Sequence, residues 1–133
     1  MKPSLEILTK ILQSSWSVDT ARTPSEWNES NPARGQCVIS SLIVQDYFGG
    51  ELIRYKVTGE GIDETHFCNL LDGDILVDTT VSQYQTVVSQ TRKPEKLDGF
   101  ASTQERLLAD EDTLRRYMIL KSRVDAQLQA QHT

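Results

Sequence analysis

The sequence predicts an α+β fold in which an antiparallel sheet packs against helices, and three patterns carry that expectation. Apolar residues recur at spacings of three and four near both ends of the chain, a nearly continuous apolar run fills residues 37–48, and two strand-like segments flank Asp72, Gly73 and Asp74. The chain has 133 residues, 38 % of them hydrophobic and 25 % charged, so a single domain over residues 1–133 can bury a core without metal or disulfide staples.

The first helix is expected to begin behind a Ser4 cap and to end near Trp16, because Leu5, Leu8, Ile11, Leu12 and Trp16 fall on one stripe. Residues 17–35 are rich in Ser, Thr, Asn and Pro, and Trp27 within them favours an ordered, packed loop. Residues 37–48 read as a mostly buried helix whose only polar edge is Ser40, Ser41, Gln45 and Asp46, stopped by Gly49 and Gly50.

Alternation over residues 51–58 predicts a strand, and residues 59–64 read as an acidic turn. Residues 66–71 and 75–80 form the clearest hairpin signal in the chain. After a polar stretch and a loop at residues 92–99, Ser102 and Glu105 make a capping box for a helix carrying Leu107 and Leu108. Residues 109–113 interrupt that helix, and Leu114, Tyr117, Met118, Val124 and Leu128 continue an apolar stripe. The carboxylates at residues 110–112 read as a helix-start charge cluster.

The net charge of −5 argues against a broad nucleic-acid footprint. No apolar run approaches the ~20 residues needed to span a bilayer, and residues 1–10 lack a signal-peptide pattern, so the expected location is cytoplasmic, with no membrane partner. Cys37 and Cys68 are then expected to be thiols. His132 lies at the end of a polar tail, which leaves His66 to carry any histidine chemistry.

Gly35, Gln36 and Cys37 stand where the loop meets the buried helix. A thiol at a helix N-terminus faces unpaired amides and the positive end of the dipole, which favours the nucleophilic thiolate. The same amides suit an oxyanion, with a second donor expected from Gln36, Trp16 or Trp27. His66 at a strand start and Asp78 on the next strand supply a base and its orienting carboxylate. Cys37, His66 and Asp78 thus make a triad by residue type.

The run from Gly35-Gln36-Cys37 through His66 to Asp78-Thr79-Thr80 resembles the transglutaminase-like branch of the papain-like superfamily over residues 31–84. That resemblance implies a papain-like core, in which the cysteine opens a buried helix of the N-terminal lobe and the histidine and aspartate follow on neighbouring strands. Val38 stands where transglutaminases often carry an aromatic residue, and Thr79 where their strand motif has proline. The wider pattern of Trp16, Trp27, Asn31-Pro32, Gln45-Asp46 and Gly49-Gly50 also resembles small bacterial YunG-like proteins. The YunG-like resemblance implies a fold more than a reaction, and the leading reading of the three residues is a cysteine hydrolase or acyl transferase attacking an amide, ester or thioester carbonyl of a peptide, amide or small-molecule substrate, with no cofactor.

Three other readings stand beside it. The same fold can serve as an inactive binding or regulatory module, Cys37 and Cys68 can act as a redox pair, and Cys37, His66, Cys68 and Asp78 can surround a zinc ion, although their spacing matches no common zinc motif. Trp16 and Trp27 also read as packing anchors and Cys68 as a core thiol.

Hairpin register decides whether the triad is possible. A two-residue Asp72-Gly73 turn is favoured locally, yet it sends His66 and Asp78 to opposite faces. A three-residue loop pairs Cys68 with Asp78 and makes His66 and Asp78 diagonal neighbours on one face. The functional reading therefore requires an odd-length loop or a compensating bulge.

Overall fold

Ser4 accepts the Ile7 amide at 3.2 Å and starts the first helix as its sequence predicts. The computed structural model describes residues 2–131; His132 lies outside them. Its elements run α1 (Leu5–Ser15), α2 (Cys37–Phe48), β1 (Glu51–Gly59), β2 (Ile62–Leu71), β3 (Ile75–Val77), β4 (Val88–Lys93), α3 (Thr103–Leu108) and α4 (Glu111–Ala130). The four strands form one sheet of order β3-β2-β1-β4 in which every neighbouring pair is antiparallel. This is a Greek-key order, and the arrangement is mixed α+β.

The core lies where α1, α2 and α4 meet, around Leu8, Leu12, Ile39, Leu42, Leu120 and Val124. Each of these fully buried aliphatic side chains contributes about 1.5–3 kcal/mol. Tyr117 and Tyr47 tie α2 to α4 through hydrogen bonds from their hydroxyls to Asp46 and Asp125. Leu114 and Met118, expected on the buried stripe of α4, instead point outward and are exposed.

Ser40 and Ser41 do not form a polar edge of α2 with Gln45 and Asp46; both are buried. Ser40 accepts the Trp16 indole N–H at 2.9 Å, and Ser41 donates to the Phe67 carbonyl at 3.3 Å. Asn69 donates in turn to the Ser41 carbonyl, so buried polar groups dock α2 on β2.

Three strand boundaries differ from the expectation. The acidic stretch at residues 59–64 is mostly strand, because pairing continues to Gly59 and Ile62 and leaves only Glu60 and Gly61 to turn. A Lys56–Asp63 ion pair balances one of its carboxylates. β3 stops at Val77 rather than Thr80, since the Asp78 carboxylate captures the Thr80 amide and starts a 3-10 turn at Val81–Gln83. β4 occupies the polar stretch and runs into the loop expected at residues 92–99, as an exposed edge strand with almost no apolar alternation. At the other junction Asp110 accepts the Thr113 amide and caps α4, as the charge cluster suggests.

The β2–β3 hairpin has a three-residue loop. Leu71 pairs with Ile75 and Asn69 with Val77, while Gly73 and Asp74 take positive φ values of 81° and 60°. Extending this register one residue beyond Val77 puts Asp78 opposite Cys68, on the face that carries His66.

The loop before α2 is ordered by contacts at both ends. Arg123 donates to the Ser15 carbonyl and Ser17 hydroxyl and pairs with Asp19, while Asn31 donates to the Gln83 carbonyl.

Candidate functional site

Gly35 sets the start of α2. Its φ is +78°, and a Cβ there would lie 2.9 Å from the backbone nitrogen of Arg22, whose amide bonds to the Gly35 carbonyl. The close crossing of these two strands of loop turns the chain so that Cys37 becomes the first helical residue.

Cys37 is half-buried and lines a cleft of about 410 Å³ together with Arg34, Glu64, Thr65 and Gln83. The first backbone bond of α2 is from the Ser40 amide to the Gln36 carbonyl at 3.1 Å. The amides of Cys37, Val38 and Ile39 have no acceptor among the described residues, and the Gln36 side chain does not cap them. They leave donors and the positive helix end beside the thiol.

His66 is fully buried on β2. Its Nε2 lies 2.7 Å from Asp78 Oδ2, and Nδ1 lies 3.3 Å from the Gln83 amide nitrogen. The Tyr84 ring meets the imidazole edge-on, with centroids 5.3 Å apart. Burial pushes the imidazole toward its neutral form, but the Asp78 carboxylate and the Cys37 sulfur outweigh it and hold the pKa up at about 10.

Asp78 divides its oxygens between two tasks. Oδ2 serves His66, and Oδ1 accepts the Thr80 amide at 3.2 Å and the Thr80 hydroxyl at 3.3 Å. The turn-capping role and the imidazole-orienting role coexist on one carboxylate.

Cys37, His66 and Asp78 therefore come together, whereas the single indole donors of Trp16 and Trp27 are engaged elsewhere and the Gln36 amide has one of its two N–H groups in use. Trp16 donates to Ser40, Trp27 donates to the Pro32 carbonyl at 3.0 Å, and the fully buried Gln36 donates to the Ser17 carbonyl at 3.2 Å. Trp16 is a core anchor and Trp27 a loop anchor.

Four surrounding residues escape sequence reasoning. Arg34 bonds both oxygens of Glu64 at 2.7 and 2.9 Å, reaches Glu26 at 2.9 Å, and approaches the Gln83 amide oxygen at 3.4 Å. Tyr84 donates to Glu64 at 3.0 Å, so this network seals the wall behind His66. Gln83 sits in a polar turn, where nothing in the local sequence separates it from its solvated neighbours.

Cys37 and Cys68 are both free thiols. Cys68 is buried, and burial together with the nearby Asp78 and Cys37 charges pushes its thiol up to about 12. Among the described residues no group of three or more histidine, cysteine, aspartate or glutamate side chains is disposed to hold a metal ion. No helix of the described residues is long and apolar enough to cross a membrane.

Comparison with known proteins adds a family match. The family described as YunG protein matches residues 4–129. The chain is 33 % identical over 103 residues to the uncharacterised protein YunG of Bacillus subtilis (strain 168), an alignment covering 76 % of this chain and 82 % of that protein. No solved structure matches the chain.

Proposed function

The chain belongs to the YunG family, and we propose that it is a cysteine hydrolase or acyl transferase in which Cys37, His66 and Asp78 form a triad of the transglutaminase-like, papain-like kind. The observation that carries this reading is the 2.7 Å contact from His66 to Asp78 beside a thiol at the open end of α2. The reading makes the substrate an amide, ester or thioester.

In the first step the Cys37 sulfur attacks the carbonyl carbon and an S–C bond forms. The carbonyl electron pair moves to oxygen, where the unpaired amides at the start of α2 stabilise it. His66, protonated on both ring nitrogens, keeps Nε2–H on Asp78 and gives the Nδ1 proton to the leaving amine, alkoxide or thiolate. Collapse of the oxyanion breaks the bond to that leaving group and leaves an acyl-Cys37 thioester. Water or an amine then gives a proton to Nδ1 and attacks the thioester, and cleavage of the C–S bond returns the thiolate. Asp78 acts by orienting the imidazole and balancing its charge.

The chemistry needs a reduced Cys37, which accords with a cytoplasmic location. The test is p-nitrophenyl acetate, an activated ester. Acylation should release a burst of p-nitrophenolate and add one acetyl group to Cys37 by intact-protein and peptide mass analysis. Absence of a Cys37 adduct, or equal acetylation in Cys37→Ala, would overturn the reading.

A further inference from the structure

We propose that the substrate of Cys37 carries a phosphate group, held in a second groove that opens off the Cys37 cleft. The inference rests on the triad reading and assigns a substrate class to it. The groove has a volume of about 490 Å³ and shares Arg22, Thr23, Val38, Thr65 and Arg116 with the cleft that contains Cys37. A ligand reaching across this shared wall touches the thiol at one end and the groove at the other.

The groove is cationic in a chain whose net charge is −5. Arg22, Arg54 and Arg106 line it from three separate parts of the sequence, and among the described residues none of them forms an ion pair. The Nε atoms of Arg54 and Arg106 are buried and have no hydrogen-bond partner. Arg54 spends one terminal nitrogen on the Pro94 carbonyl at 2.9 Å, which fixes the guanidinium without neutralising it.

Two carboxylates, Asp110 and Asp112, stand in the same walls against five cations. Asp110 caps the Thr113 amide, and Asp112 pairs with Arg115 and Arg116. Of the other two cations there, Arg116 pairs with Asp112 and Lys96 stands 3.8 Å from Asp98. Three guanidiniums thus lack an ion-paired carboxylate, and the buried Nε–H of two of them is unpaired.

A guanidinium binds oxyanions through a planar fork of donors. A carboxylate carries one negative charge and leaves most of this groove unmatched, whereas a phosphate monoester carries about −1.5 to −2 and three terminal oxygens. Charge and donor number both favour phosphate.

The experiment follows the arginine Nε–H resonances of the full chain by nitrogen-15 NMR during titration with phenyl phosphate, and with benzoate at equal ionic strength. Saturable shifts of Arg22, Arg54 and Arg106 with phenyl phosphate are expected, with benzoate at least about tenfold weaker because it matches less of the charge. The double variant Arg54→Gln, Arg106→Gln should weaken phosphate binding by about tenfold or more. If that variant does not fold, Arg22→Gln at the exposed junction should weaken binding by about threefold or more. Unsaturable shifts, equal affinity for benzoate, or unchanged phosphate affinity in the folded variants would overturn the proposal. Iodoacetamide labelling of Cys37 in the same samples separates the two readings. A reactive thiol without phosphate binding overturns the groove alone, and phosphate binding beside an inert thiol overturns the claim that the ligand is the substrate of Cys37.

Discussion

His66 Nε2 lies 2.7 Å from Asp78 Oδ2 although the two residues are not opposite one another in the hairpin. The pairing of Asn69 with Val77 puts Cys68 opposite Asp78 when extended by one residue, so the imidazole reaches its carboxylate diagonally along one face. The contact depends on the three-residue loop and on the end of β3, and it sets the charge state of the only histidine inside the described residues.

Asp78→Asn should lower the His66 pKa from about 10, since the Cys37 sulfur is then the one partner left to oppose burial. Titration of the imidazole Cε1–H resonance measures this directly, with His132 as an internal comparison. A His66 that titrates near 6.5 in the unmodified protein would contradict the assignment.

Stability should depend on pH through the same group. The folded pKa of His66 is raised above its unfolded value of 6.5, so its contribution is fully present below pH 6.5 and is lost as pH rises through about 10. Between those limits the folded state holds a proton that the unfolded state has released, giving a fall of at most about 1.4 kcal/mol per pH unit. Guanidinium unfolding at pH 6, 8 and 9.5 should show the unmodified protein losing its advantage over His66→Gln. A constant difference across that range would contradict the shift.

Asp72→Asn together with Asp74→Thr should favour a two-residue Asn-Gly turn, because a β-branched residue disfavours the φ of 60° at position 74, and pairing Leu71 with position 74 slips the register by one residue and moves Asp78 to the face opposite His66. The expected outcome is a folded protein with unchanged helical circular dichroism and a His66 pKa lowered from about 10. Retention of the raised pKa would show that the carboxylate reaches the imidazole independently of register.

Local rules made much of this molecule legible. The Ser4 cap, the start of α2 at Cys37 and the caps at Ser102 and Asp110 each follow from a side chain acting on amides within three residues or from the junction of a glycine with an apolar run. The meeting of His66 with Asp78 was legible only after chemistry was weighed against turn preference. What stayed hidden depends on distant partners: β4 owes its existence to the free edge of β1, the burial of Ser40 to the Trp16 indole, and the place of Gln83 to the Arg34–Glu64 wall. The outward-facing Leu114 and Met118 show the converse, since spacing alone does not say how much of a long helix its neighbours cover.

The central claim is that His66 activates Cys37, and the most direct measurement is the iodoacetamide labelling rate at pH 6, located by peptide mass analysis, in the unmodified protein and in His66→Ala. An ordinary cysteine thiol is only ~0.3 % thiolate at that pH. The account predicts rapid labelling of Cys37 in the folded protein, none at the buried Cys68, and a fall of at least about tenfold at Cys37 in His66→Ala. Equal rates in the two proteins, or labelling of Cys37 only after unfolding, would contradict it.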